Sequence, residues 1–302
     1  MIENLRHLNY VLAAADRGSI TEAASELRVS QPAVSAAIKS FEERFGYRIF
    51  VRNPARGLSL TPPGRVFIKQ ARRLLQDARD FDRGAMGLGQ EIAGEIQVGC
   101  YFVTAPFIMP PILTALAGKY PSIGFNLHES DLVEVVNDLR SGVTDVALTY
   151  DTYADSGVEF EGLFETPPHV LLSANDPLVE QEAVSLHDLV DKPMVLLDLP
   201  VSRETFLNFF RMHGLQPQTR FRPKSFEMVR SLVGAGFGFS FAFLRLKSEQ
   251  SYQGNRLVRR RIVEKLPPSR VCLAVPRNSR PTRIARAFAE VCREVYHEAE
   301  SV

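Results

Sequence analysis

Between residues 44 and 73 the chain carries eight basic side chains, Arg44, Arg48, Arg52, Arg56, Arg65, Lys69, Arg72 and Arg73, and no acidic one. A solvated surface normally mixes signs, so a one-sign run marks a surface that meets a polyanion. Just upstream, Gln31, Ser35, Ala36 and Lys39 recur at the spacing of one helical face. Amide, hydroxyl and ammonium groups so arranged suit the donors and acceptors of base edges. Groups for bond-breaking chemistry are scattered instead. His7, His128, His169, His187, His213 and His297 show no ligand spacing, and neither a G-x-S-x-G nor a P-loop occurs. Three cysteines, Cys100, Cys272 and Cys292, are too few for a disulfide framework or a four-ligand zinc site. We therefore expect no metal, no cofactor and no enzymatic activity. Gly234-Ala-Gly236-Phe-Gly238 follows a helical pattern and precedes a strand, the reverse of a dinucleotide-binding order, and reads as a tight turn.

The elements that position the basic and polar groups follow from periodicity. Leu5, Leu8, Leu12 and Ala15 make one helix that Gly18 ends. Ser19-Ile20-Thr21-Glu22 reads as a capping box, the serine taking an amide and the glutamate reaching back. Ser30 is placed to cap a third helix, with Pro32 in its first turn and Val34, Ile38, Phe41 and Phe45 on its buried side. Two short helices around a tight turn make a helix-turn-helix. The following RIFVRNPARGLSLT alternates like two strands around a turn, a wing that carries Arg48, Arg52 and Arg56. A polar helix beside a basic hairpin suits a duplex groove with its flanking phosphates. Phe67, Ala71, Leu74, Ala78, Phe81, Ala85 and Leu88 then recur as heptads. These form either a dimer seam, the reading preferred here with Phe67 to Phe81 as its contacts, or the inner face of a helix packed on its own domain.

The remainder alternates strand and helix patterns. Strands are expected near 95–100, 124–128, 145–150, 169–173, 194–197, 238–243 and 270–275, and helices at 107–119, 131–141, 203–213, 225–235 and 281–298. This implies α/β domains with mostly parallel sheets. The charge divides accordingly: residues 1–90 hold 14 Lys and Arg against 9 Asp and Glu, while residues 91–302 hold 22 against 26. At 302 residues, 45% hydrophobic and 24% charged, the chain can form two or three cored domains. No apolar run approaches the roughly 20 residues that cross a bilayer. MIENLRHLNY has charges where a secretory signal needs an apolar core, so no membrane contact and a cytoplasmic location are expected.

The segment from Leu5 to Gly64, with its A-A-S-E-L, V-S-Q-P-A-V-S, F-E-E-R-F-G, R-I-F-V-R and L-T-P-P-G runs, resembles the DNA-binding domain of LysR-type transcriptional regulators. GEIQVG at 94–99, LRSGVTDVA at 139–147 and RSLVGAGFGFSF at 230–241 resemble the family's effector domain less specifically. The resemblance implies an α+β multi-domain fold: a winged helix-turn-helix at 1–61, a coiled-coil linker at 62–90, and an α/β effector domain at 91–302. That domain would resemble type II periplasmic binding proteins, with one subdomain of 91–166 and 268–302 and another of 167–267. It also implies a homodimer or homotetramer on a double-stranded operator, with RNA polymerase as a candidate partner.

By the same resemblance Gln31 and Ser35 face bases, while Arg52 and Thr61 face phosphates, and Ser30, Pro32, Ala36, Lys39, Arg48 and Arg56 complete the expected DNA-binding set. Ala36 stands where many members have arginine, which shifts readout toward Gln31, Lys39, the wing and DNA shape. A small effector is expected between the subdomains, a small organic acid and so a candidate carboxylate. Thr104, Ser130, Ser202 and Arg203 sit at strand-to-helix junctions, where free amides favour an anion, and Arg203 is the expected clamp. Each hydroxyl is equally explained as an ordinary helix cap. Tyr101, Phe102, Phe226 and Phe239 are expected to wall the pocket, with ordinary core as the alternative for each. Residues 167–267 contain no cysteine, which excludes the paired-thiol peroxide switch of some members. The competing function is a cytoplasmic small-molecule-binding protein without transcriptional output.

Overall fold

The computed structural model describes residues 2–53, 57–85, 92–153, 155–277 and 281–297. Helices α1 (Ile2–Arg17), α2 (Ile20–Glu26) and α3 (Gln31–Phe45) pack through Leu8, Val11, Ala23, Ala24, Val34 and Ile38. The Ser19 hydroxyl accepts from the Glu22 amide at 3.3 Å, but among the described residues no return bond from the Glu22 side chain completes the box. Ser30 occupies the cap position of α3 with extended backbone, yet its hydroxyl makes no capping bond. Gly46, at φ 74°, closes α3 in the left-handed conformation that glycine adopts without strain. Phe45, expected in the core, is 48% exposed. It lies at the domain edge, where its ring still meets Phe41 at 6.3 Å and Phe67 at 5.6 Å.

Strands β1 (Phe50–Asn53) and β2 (Gly57–Leu60) pair antiparallel, with Phe50 opposite Leu60. Helix α4 (Pro62–Ala85) follows at once. Then come β3 (Gly94–Tyr101), α5 (Ala105–Lys119), β4 (Ile123–Ser130), α6 (Leu132–Ser141), β5 (Val146–Tyr150), β6 (Val158–Thr166) and β7 (His169–Ser173). The chain continues through β8 (Ala183–Val184), α7 (Leu186–Leu189), β9 (Pro193–Val195), α8 (Pro200–Arg211), β10 (Gln218–Phe221) and α9 (Phe226–Gly234). It ends with β11 (Ser240–Ala242), β12 (Leu257–Ile262), β13 (Ser269–Pro276) and α10 (Arg283–His297).

Two sheets organise this half into two lobes. One has the order β4-β3-β5-β13-β6 and the other β11-β7-β12-β8, with a separate β10-β9 pair. The sheets are mixed, not mostly parallel as expected. Among the described strands of this half, four pairings are parallel and four antiparallel. The reason lies in the crossovers at 167–168 and 263–268. β6 leaves the first lobe and β13 returns to it, so they lie antiparallel, with Thr166 opposite Ser269. β7 and β12 continue those two paths in the second lobe, with His169 opposite Arg261. β12 was not foreseen, because Leu-Val-Arg-Arg-Arg-Ile reads as a charge run. A continuous buried cluster joins Ile96, Val98 and Leu148 of the first lobe to Phe206, Phe209 and Phe241 of the second.

Candidate functional site

The exposed face of α3 carries Gln31, Pro32, Ala36 and Lys39, with Ser35 half-buried beside them. Val34, Ala37, Ile38 and Phe41 hold the opposite side in the core, so packing leaves these polar groups nowhere else to point. Ser35, Ala36 and Lys39 line a groove whose far wall is Arg48, Phe50 and Val51 of the wing. Lys39 lies 3.6 Å from Glu43, an exposed pair that water and salt loosen. Arg52 lies on β1 with its side chain outside the described residues, and Arg56 lies outside them altogether.

Two residues expected at phosphates have internal partners. Arg48 Nη1 donates to Glu42 Oε2 at 2.8 Å, although the arginine side chain stays 79% exposed. The other oxygen of Glu42 accepts from the backbone amides of Ile49 at 2.8 Å and Phe50 at 3.2 Å. Burial would raise this carboxyl, but the Arg48 guanidinium and the two amides outweigh it and hold its pKa below the ordinary range. Glu42 thus fastens the wing to α3, a role that no local pattern revealed. The Thr61 hydroxyl donates to the Arg48 carbonyl at 2.6 Å and accepts from the Gly64 amide at 2.9 Å, capping α4. Its proton is therefore already committed within the domain, where the residue serves as a cap. Arg72 likewise pairs with Asp16 of α1. The basic run is partly neutralised by acids folded back onto it.

The heptad splits between two surroundings. Phe67 and Ala71 are buried in their own domain, with Phe67 5.4 Å from Phe41 between ring centres, which corrects their assignment to a dimer seam. Leu74 and Phe81 remain 52% and 73% exposed, and Ala78 is half-buried.

Between the lobes lies a closed aromatic cleft. Tyr101, Val103, Leu132 and Tyr150 of the first lobe face Leu197, Ser202, Phe206, Phe226, Phe241 and Phe243 of the second. The Tyr101 and Ser202 hydroxyls meet across it at 3.0 Å. The Tyr150 and Phe243 rings meet at 5.7 Å. About 30 Å³ of free room remains, enough for a water molecule and little more. Burial pushes the phenols of Tyr101 and Tyr150 up, so both stay neutral hydrogen-bonding groups.

Of the eight effector residues expected, the structure brings Tyr101, Ser202 and Phe226 together here and leaves the others out. Arg203 turns away to Asp198 at 2.9 Å and Glu204 at 3.8 Å, so it is no clamp for an anion in this cleft. Phe239 is fully buried against Phe210 and Phe241 as core. Phe102 packs on Tyr101 at 5.5 Å without lining the cleft. The Thr104 hydroxyl is buried and donates to the Tyr101 carbonyl. Ser130 ends β4, and its neighbour Asp131, not Ser130, caps α6 by accepting from Val133 and Glu134. The sequence reading missed Tyr150, Phe206 and Phe243. Tyr150 ends a strand, the place where α/β sheets present ligand contacts, and that signal was available.

Residues 5–65 match the bacterial regulatory helix-turn-helix protein, lysR family, and residues 89–297 match the LysR substrate binding domain. The chain belongs to the LysR family. The chain is 27% identical over 296 residues to the uncharacterized HTH-type transcriptional regulator YvbU of Bacillus subtilis, spanning 97% of this chain and 98% of that one. It is 28% identical over 239 residues to the DNA-binding transcriptional dual regulator OxyR of Escherichia coli, spanning 78% of each. The crystal structure of HinK, a LysR family transcriptional regulator from Pseudomonas aeruginosa, is 36% identical, with a TM-score of 0.65 over 96% of this chain and 97% of that one. As a LysR-type transcriptional regulator, the protein joins a DNA-binding unit to an effector-binding domain and is not an enzyme. All three thiols are buried, and burial raises Cys100 and Cys272 to about 12 and pushes Cys292 up as well, which leaves little thiolate to react. Among the described residues no helix is long and apolar enough to cross a membrane.

Proposed function

We propose that residues 1–61 read duplex DNA through the Gln31, Ser35, Ala36 and Lys39 face, that residues 62–90 pair two copies, and that residues 91–302 answer to a small, largely apolar effector. The observation that carries the effector reading is the Tyr101–Ser202 hydrogen bond, which latches the two lobes across an aromatic cleft lined, among the described residues, by no charged side chain. An organic acid would bury its carboxylate there without Arg203, at a cost of several kcal/mol unless other donors replace the lost water. A neutral hydroxyl or amide head on an aromatic body matches the lining better. Because free room is scarce, the ligand competes with the latch and favours a parted arrangement of the lobes, which the paired DNA-binding units then follow.

The experiment is a thermal-shift comparison of the full chain against matched aromatic compounds, each acid beside its amide and alcohol. The neutral member of a pair should raise the midpoint more. If acids alone stabilised the protein, the neutral-head reading would be wrong; if nothing did, the cleft would lose its assigned role. The DNA reading is tested separately with Gln31→Ala, which should narrow the gap between operator and random duplex by about 1–3 kcal/mol.

A further inference from the structure

We propose that the groove lined by His169, Arg245, Arg259 and Arg261 is a second ligand site, separate from the inter-lobe cleft, that takes a small oxyanion of the phosphate or carboxylate class. His169 opens β7 between Ala242 of β11 and Arg261 of β12. Antiparallel pairing puts directly opposed side chains on one face of a sheet, so Arg261 and, one repeat along, Arg259 stand on the same face as the imidazole. The imidazole is part of the wall of an open groove with about 530 Å³ of room. His169 is only 3% exposed, and neither ring nitrogen makes a hydrogen bond of good geometry, the Pro167 carbonyl interacting only weakly. A buried polar group so poorly satisfied is destabilising, and an acceptor in the groove would offset that.

The cations around it are incompletely matched. Arg245 is exposed and makes no hydrogen bond or ion pair among the described residues. Arg259 donates to the Leu246 carbonyl at 3.0 Å and lies 3.9 Å from Glu249. Arg261 reaches Glu182 at 3.3 Å in solvent. Arg260, also in the wall, is committed to the Val179 carbonyl. Among the described residues Glu180 and Glu182 are the acids lining the groove, so four guanidinium groups there meet two carboxylates. An anion seated among Arg245, Arg259 and Arg261 relieves their mutual repulsion and accepts from the imidazole N–H.

Burial, with Arg259 and Arg245 close by, lowers the His169 pKa to about 4, against a weak opposing pull from the Pro167 carbonyl. A bound oxyanion adds a favourable partner for the imidazolium, so its binding takes up protons as pH falls from neutral. The groove adjoins both crossovers, since His169 follows residues 167–168 and Arg261 precedes 263–268. Leu244, next to Arg245, lines the inter-lobe cleft, and the two linings share no residue.

The test is isothermal titration of the full-length protein with sodium phosphate, with sodium citrate, and with potassium chloride at matched ionic strength. Saturable heat is expected with phosphate, citrate or both, and none with chloride; whichever anion binds assigns the class. Arg245→Gln, whose site is exposed and leaves the fold intact, should weaken binding about tenfold, equal to 1.4 kcal/mol. Titration at pH 6 in two buffers of different ionisation enthalpy should show more protons taken up on binding to the parent protein than to His169→Asn, the ligand's own ionisation cancelling in the difference. Absence of saturable binding by either anion, or undiminished binding in Arg245→Gln, overturns the proposal even if the histidine variant does not fold.

Discussion

Replacing Glu42 by alanine tests whether one buried carboxylate holds the wing against α3. The side chain is 8% exposed and receives three donors, the Ile49 and Phe50 amides and the Arg48 guanidinium. A buried amide stripped of its acceptor costs about 1–3 kcal/mol. Two such amides, partly rescued by water at the groove edge, put the local loss at about 3 kcal/mol. Arg48 contributes less than the amides, because its own exposed side chain is rehydrated when the pair is broken and Glu42 keeps both amides. Hydrogen exchange read by mass spectrometry should therefore show protection at Ile49 and Phe50 falling about 100-fold, since each 1.4 kcal/mol is a factor of ten. Arg48→Ala should change it less than about threefold, matching the small worth of an exposed pair. Equal effects from the two variants, or no loss in Glu42→Ala, would refute the reasoning. The pH dependence has a definite sign. The folded pKa of Glu42 is lowered, so on acidification the unfolded chain takes up a proton before the folded one does. The contribution is thus full above the ordinary glutamate range and disappears as pH falls through the folded value.

Three other perturbations follow from distances already given or from close approaches in the same structure. A Cβ at Gly64 would stand 2.0 Å from the Ile49 carbonyl oxygen, so Gly64→Ala should lower the calorimetric midpoint of the N-terminal unit, at a cost of about 1–3 kcal/mol. Leu74→Asp combined with Phe81→Asp should shift sedimentation toward monomer, because these apolar groups are exposed and, among the described residues, outside the core of their own domain; unchanged sedimentation would place the seam elsewhere. Tyr101→Phe removes the hydroxyl that bonds Ser202 and should move the lobe equilibrium toward the parted state by about 0.5–1.5 kcal/mol, visible as lower energy transfer between dyes on the two lobes. A transfer efficiency equal to that of the parent protein would show that the hydrogen bond is not a latch.

Local pattern was sufficient for the helix-turn-helix, the wing, the linker helix and most strands of the C-terminal half, because the 3.6- and 2-residue repeats are written in neighbouring residues. The same repeats identified the polar face of α3, since the apolar residues between its members had to face inward. Pattern was insufficient wherever a side chain's role depends on a partner brought in by folding. Arg48 and Arg72 looked like free cations, yet Glu42 and Asp16 lie against them, the second 56 residues away in sequence. Phe67 and Leu74 hold equivalent places in a heptad, yet the α3 aromatics cover one and leave the other in solvent. Arg203 sits at the right junction, but Asp198 turns it aside. The cleft itself forms only when Tyr101 and Ser202, 101 positions apart, meet across two lobes. Burial and charge pairing are properties of what surrounds a group in space, and the surroundings of these residues come from distant stretches of chain joined by the crossovers.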